Sequence, residues 1–150
     1  VRQKGTGNQK AVRITGARQV SLADFAPGCA MTENGVTISS AEADIQPRST
    51  DCASVFRAGL FALVERIRDW GFPVVDVERG LVLAISVQDL PAREKPFTAT
   101  DGKKIAVKRD YPMSRLVAEL VRIEGDRIVR SEAVVASLPY RMPTPCKEVP

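Results

Sequence analysis

Hydrophobic and polar positions alternate twice near the end of the chain, over Arg115–Ile123 (RLVAELVRI) and Arg127–Leu138 (RIVRSEAVVASL). Alternation with period two sends successive side chains to opposite faces of a strand. The spacer Glu124-Gly125-Asp126 is short enough to join the two runs as a hairpin. A second hairpin is predicted from Val74–Glu78 and Leu81–Gln88, with Arg79-Gly80 as its turn. Within its second run, Leu81, Leu83, Ile85 and Val87 make an apolar face. Val82, Ala84, Ser86 and Gln88 make a mixed one, as in a sheet covered on one side.

Between these strands and the N-terminus the period changes. Phe56, Leu60, Leu63, Val64, Ile67 and Trp70 recur at helical spacing and predict a long helix from about Ala53 to Trp70. Ser49, Thr50 or Asp51 would cap it, and Gly71 and Pro73 would end it. Ala11–Thr15 is a weak strand pattern and Val36–Ser39 a short one. Residues 21–36 read as loop, with Pro27-Gly28 and Asn34-Gly35 as turn signals. Residues 89–104 read as a polar loop, followed by a short edge strand at Ile105–Val107. The expected fold is α+β: a long helix on a curved antiparallel sheet, with a pocket inside the cone they form.

Length and composition add limits. The chain has 150 residues, which suits one domain. We expect residues 1–20 to be a flexible basic arm and residues 21–150 to be that domain. The net charge of +4 is uneven: residues 1–20 hold five basic side chains and no acid. Such an arm is usually solvated, and without aromatic residues it offers no stacking platform for nucleic acid. No apolar run suits a bilayer span, and residues 1–20 lack the apolar centre of a signal peptide. There is no histidine, and the three cysteines have no CxxC spacing. That removes zinc sets containing His and every Cys-His or Ser-His-Asp mechanism. No metal or cofactor motif is present, and no phosphate-cradling glycine loop.

The order helix, hairpin, long loop, long hairpin resembles the second half of the nuclear-transport-factor-2-like fold, also called cystatin-like or SnoaL-like. The ending AELVRIEGDRIVRSEAVVASLPY resembles its last two strands. CAMTENGV at 29–36, DCASVF at 51–56, FPVVDVERGLVLA at 72–84 and SLPYRMPTPC at 137–146 resemble an uncharacterised branch found in secreted fungal and bacterial proteins. The fold normally opens with helices that close the cone, and residues 1–24 do not read as such. The resemblance implies a disulfide between Cys29 and Cys52 and hence a secreted or periplasmic protein. Two buried free thiols in a cytoplasmic protein are the alternative. Cys146 is left over, either free or paired between chains.

Candidate chemistry rests on carboxylates that interrupt apolar strands: Asp76, Glu119 and Glu132. Enzymes of the resembled fold use an Asp base in an apolar cavity, where burial raises a carboxyl pKa. All three residues would share one face if the strands paired without irregularity, but a single bulge reverses a strand's facing. The plainer reading makes each a solvent-side partner for Arg79, Arg115, Arg122 or Arg130. Tyr111 at the cone mouth and Trp70 at the helix end are candidate ligand contacts, against simple packing roles. Two functions follow: a pocket for a small apolar molecule, with isomerase, lyase or hydrolase chemistry as its extension, or a non-catalytic binding or dimerisation module. A homodimer is expected with either.

Overall fold

The structure is a computed structural model that describes residues 25–39, 51–57, 63–93, 97–98, 104–105 and 109–144. In chain order it contains β1 (Phe25–Glu33), β2 (Val36–Ser39), α1 (Cys52–Arg57), β3 (Arg66–Asp76), β4 (Leu81–Leu90), β5 (Phe97–Thr98), β6 (Lys104–Ile105), β7 (Met113–Glu124) and β8 (Arg127–Pro139). The expected arm at residues 1–20, the strand at Ala11–Thr15 and Cys146 lie outside the described residues.

Six strands form one sheet in the order β2-β1-β8-β7-β4-β3. The two expected hairpins are four adjacent strands of it, β8-β7-β4-β3, with β3 at the edge. Gly125 takes a positive φ of 64° in the turn between β7 and β8. Gly80, at φ 63°, ends the turn between β3 and β4. A side chain there would run into the Ile123 carbonyl, whose own amide donates to the Gly80 oxygen at 2.7 Å.

Three expectations need correction. The sheet is mixed, because β1 runs parallel to β8. Residues 25–33 are strand rather than loop: Phe25 and Met31 are buried, and Pro27-Gly28 sits inside a register shift between Phe25 and Ala30. The turn signal marked a bulge. Among the described residues the helix covers only Cys52–Arg57, and Arg66–Asp76 is strand. The apolar stripe that suggested helix there is compatible with both structures. The outer backbone of β4 needs hydrogen-bond partners, and β3 supplies them from Arg66↔Asp89 to Asp76↔Leu81. Two further bulges absorb the misfit, and Asp69 adopts φ 50° at the first. The expected strand at 105–107 is the two-residue β6, paired with β5 in a separate ribbon.

Asp51 caps α1, as the sequence suggested. Its carboxylate accepts from the Ser54 amide at 2.8 Å, and the Ser54 hydroxyl accepts from the Asp51 amide at 2.9 Å. The helix packs on β1 and β2 around Phe25, Met31, Ala53 and Val55. Phe25 and Phe56 meet with ring centroids 4.8 Å apart. Cys29 and Cys52 are joined in a disulfide inside this cluster. The Asn34 side chain extends β1 sideways, bonding the backbone nitrogen of Val135 at 2.8 Å and its oxygen at 3.1 Å.

Candidate functional site

Residues directly opposite in an antiparallel ladder share a face. Gln88 lies opposite Arg115, Ser86 opposite Val117 and Ala84 opposite Glu119. On the other side of β7, Glu119 meets Ala133 and Val117 meets Val135. Met31 and Glu33 join the same face from β1. All of these except Ala84 and Ser86 line a cleft of about 50 Å³, with Met31, Ile38, Val117, Ala133 and Val135 as its apolar part. That is far below the ~300–1,000 Å³ of a site enclosing a drug-sized ligand. It suits a small group, or one end of a longer molecule.

The polar lining is Glu33, Gln88, Arg115 and Glu119, with Thr32 and Ser131. Arg115 bonds Glu33 at 3.2 Å through one terminal nitrogen and Gln88 at 2.7 Å through the other. Its Nε is buried with no hydrogen-bond partner. Ser131, 2% exposed, donates its hydroxyl to Glu119. Glu119 enters no ion pair among the described residues. A carboxylate offers about four acceptor positions, so most of its capacity is unspent.

The three carboxylates singled out from sequence separate. Glu119 is on the cleft wall. Glu132 lies opposite Leu120, on the other face, and is ion-paired with Arg130 at 2.6 Å. Asp76 closes the β3–β4 turn, accepting from the Arg79 amide at 2.9 Å and its guanidinium at 2.8 Å. The Arg79 side chain, and then its amide, hold the Asp76 carboxyl below the usual carboxylate range. Trp70 and Tyr111 are exposed and line no part of the cleft. Sequence reasoning did not single out Gln88, Arg115 or Ser131. Arg115 was within reach, since it alternates with Val117 and Glu119 along one face of β7. Ser131 gave no signal, because a bulge sets its facing. Among the described residues no three His, Cys, Asp or Glu side chains converge on a metal position.

Residues 13–135 match a family described as a domain of unknown function, DUF8021. The chain belongs to that family. No curated protein matches this DUF8021 chain in sequence. Among solved structures it is similar to AclR from Streptomyces galilaeus, a protein provisionally assigned as a hydroxylase. The TM-score is 0.44 and the identity 13%, over 77% of this chain and 73% of that one.

The DUF8021 chain holds a second polar cluster, on the opposite face. Asp89, 1% exposed, accepts from Arg68 Nε at 3.0 Å and from the Ser114 hydroxyl at 2.6 Å. Ser114 in turn accepts from the Arg141 amide at 2.9 Å. Arg68 also reaches Asp69 at 2.6 Å and the Met142 carbonyl at 2.9 Å. Burial pushes the Asp89 carboxyl up. The hydrogen bonds from Arg68 and Ser114 and the Arg68 charge outweigh it, so the group sits below the ordinary range. Among the described residues no buried polar side-chain atom of this cluster lacks a partner, and the cluster holds Arg141, Met142 and Thr144 against the sheet.

Proposed function

We propose that the cleft beside Met31 and Val117 binds a small molecule and that Glu119 receives its polar end. One observation carries the reading: of the three strand carboxylates, Glu119 alone borders the cleft, beside its apolar part, and keeps free acceptor capacity. A fitting ligand has a short apolar body over Val117 and Val135 and a donor group, such as an amine or hydroxyl, toward Glu119. A ligand acceptor near Arg115 would satisfy its unpartnered Nε, an unmade bond that otherwise costs on the order of 1–3 kcal/mol. In the acid–base extension of this reading, Glu119 is the proton acceptor. The motifs that resemble the nuclear-transport-factor-2-like fold support the same reading. The Cys29–Cys52 disulfide supports an oxidising compartment, secreted or periplasmic. No helix among the described residues is long and apolar enough to cross a membrane.

Amide NMR spectra of the full chain, titrated with short alkylamines and alkylamides, test the proposal. Shifts clustered at Gln88, Val117, Glu119 and Ser131, and lost in Glu119→Gln, are expected. Shifts scattered over the surface, or none, would remove the cleft as a binding site. A second reading, an interaction module, rests on the apolar side chains that β3 exposes.

A further inference from the structure

Two carboxylates share the cleft wall with one arginine. Glu33 on β1 and Glu119 on β7 both lie opposite Ala133 of β8, so the three residues form a row across the sheet. Neighbouring strands stand ~4.8 Å apart, which sets the two glutamate backbones about 10 Å from each other. Arg115 belongs to another row, between Gln88 and Ser137. Glu119 is on its own strand and face, four residues on, yet Arg115 pairs with Glu33, two strands away.

That pairing makes the two ends of the wall different. At one end the Glu119 carboxylate holds only the Ser131 hydroxyl among the described residues. At the other end Glu33 neutralises the Arg115 guanidinium, and Gln88 takes its second terminal nitrogen at 2.7 Å. The remaining donor, Nε, is buried and unpartnered. Among the described residues of the wall, two carboxylates meet one guanidinium, which leaves one negative charge in excess. Arg109 acts on Arg115 from off the wall, held by the Pro91 carbonyl at 2.9 Å. An acceptor that completes Nε stands beside the Glu33 carboxylate, on the same guanidinium. A second carboxylate there is repelled, and a neutral carbonyl is not.

We propose that Glu33 sets the charge of the ligand. The cleft takes a monocation whose ammonium sits on Glu119 and whose far end is a neutral acceptor, such as an amide carbonyl, on Arg115. It turns away the corresponding amino acid. This specificity rests on the binding role of the cleft proposed above.

Amide NMR titrations of the full chain with γ-aminobutyramide, γ-aminobutyrate and n-butylamine test it, read at Val117, Glu119 and Ser131. Wild type is expected to bind the amide roughly tenfold more tightly than the acid, and more tightly than the amine. Glu33→Gln keeps an acceptor for Arg115 and removes the charge, so it is expected to bind the acid at least as tightly as the amide. Equal affinity of wild type for amide and acid overturns the proposal, as does a preference that survives Glu33→Gln. An amide no tighter than butylamine shows that Arg115 receives nothing, and also overturns it. In these cases the binding role itself stands, because the ammonium still binds at Glu119. No shift with any of the three compounds, or shifts unchanged in Glu119→Gln, overturn the binding role and the proposal together. Thermal melts check that Glu33→Gln folds, and the wild-type comparison decides the proposal without it.

Discussion

The end of the β4–β7 ladder and its middle each hold a carboxylate, on opposite faces and in opposite manners. Asp89 is surrounded by Arg68 and Ser114, and Ser114 is itself tied to Arg141. Glu119 has one hydroxyl and the partly apolar cleft beside it. Both side chains are polar groups in strands, and residue type alone does not distinguish them. The distinction lies in how much of each carboxylate's bonding capacity the fold consumes. A fully consumed group is structural, and one left open can serve a ligand.

The comparison can be broken by removing each side in turn. Asp89→Ala leaves Arg68 without its buried partner and is expected to cost about 3–5 kcal/mol, read from urea unfolding. Acid should act on the same cluster more gradually. The folded-state pKa of Asp89 lies below its unfolded value, so its contribution is present above that unfolded value, ~3.9. It is lost as pH falls through the depressed folded value. Urea midpoints of wild type should therefore drop more steeply below pH 4 than those of Asp89→Asn, and parallel curves would assign the acid sensitivity elsewhere. Ser114→Ala removes one hydrogen bond to a charged group and should cost about 1.5–3 kcal/mol. Glu119→Gln keeps the shape of the side chain and a partner for Ser131, so it should change stability by less than ~1 kcal/mol while abolishing amine-induced shifts in the cleft. Glu132→Gln, on the far face, should change stability by less than ~0.5 kcal/mol and leave those shifts intact. A large stability loss in Glu119→Gln would make the two carboxylates alike.

The two long hairpins were legible because alternation, β-branched residues and turn glycines agree over Val74–Gln88 and Arg115–Leu138. β1 was not, because Pro27-Gly28 signals a bulge and a loop in the same way. The first half of β3 was hidden by a stripe, Phe56 to Trp70, that satisfies helical spacing. Glu119 was legible as a carboxylate in an apolar strand, but its separation from Glu132 was not. Next to the turn, Glu124 pairs with Arg127 and Ile123 with Ile128. Continued unchanged, that register would set Glu119 directly opposite Glu132. The shift between Arg122 and Ile123 moves it by one residue, and the two glutamates go to opposite faces. Nothing in the composition of those residues announces the shift.

The parallel pairing of β1 with β8 fixes an order of events during synthesis. Strands β3, β4, β7 and β8 each have a partner among their neighbours along the chain. β1 finds β2 on one edge at once, but the partner of its other edge is β8, the last of the nine described elements to be made. At ~5–20 residues per second, the ribosome delivers Pro139 roughly 5–20 s after Glu33. For that interval the β8-facing edge of β1 stands open, while β2 pairs with its other edge and α1 packs on it beside the Cys29–Cys52 disulfide.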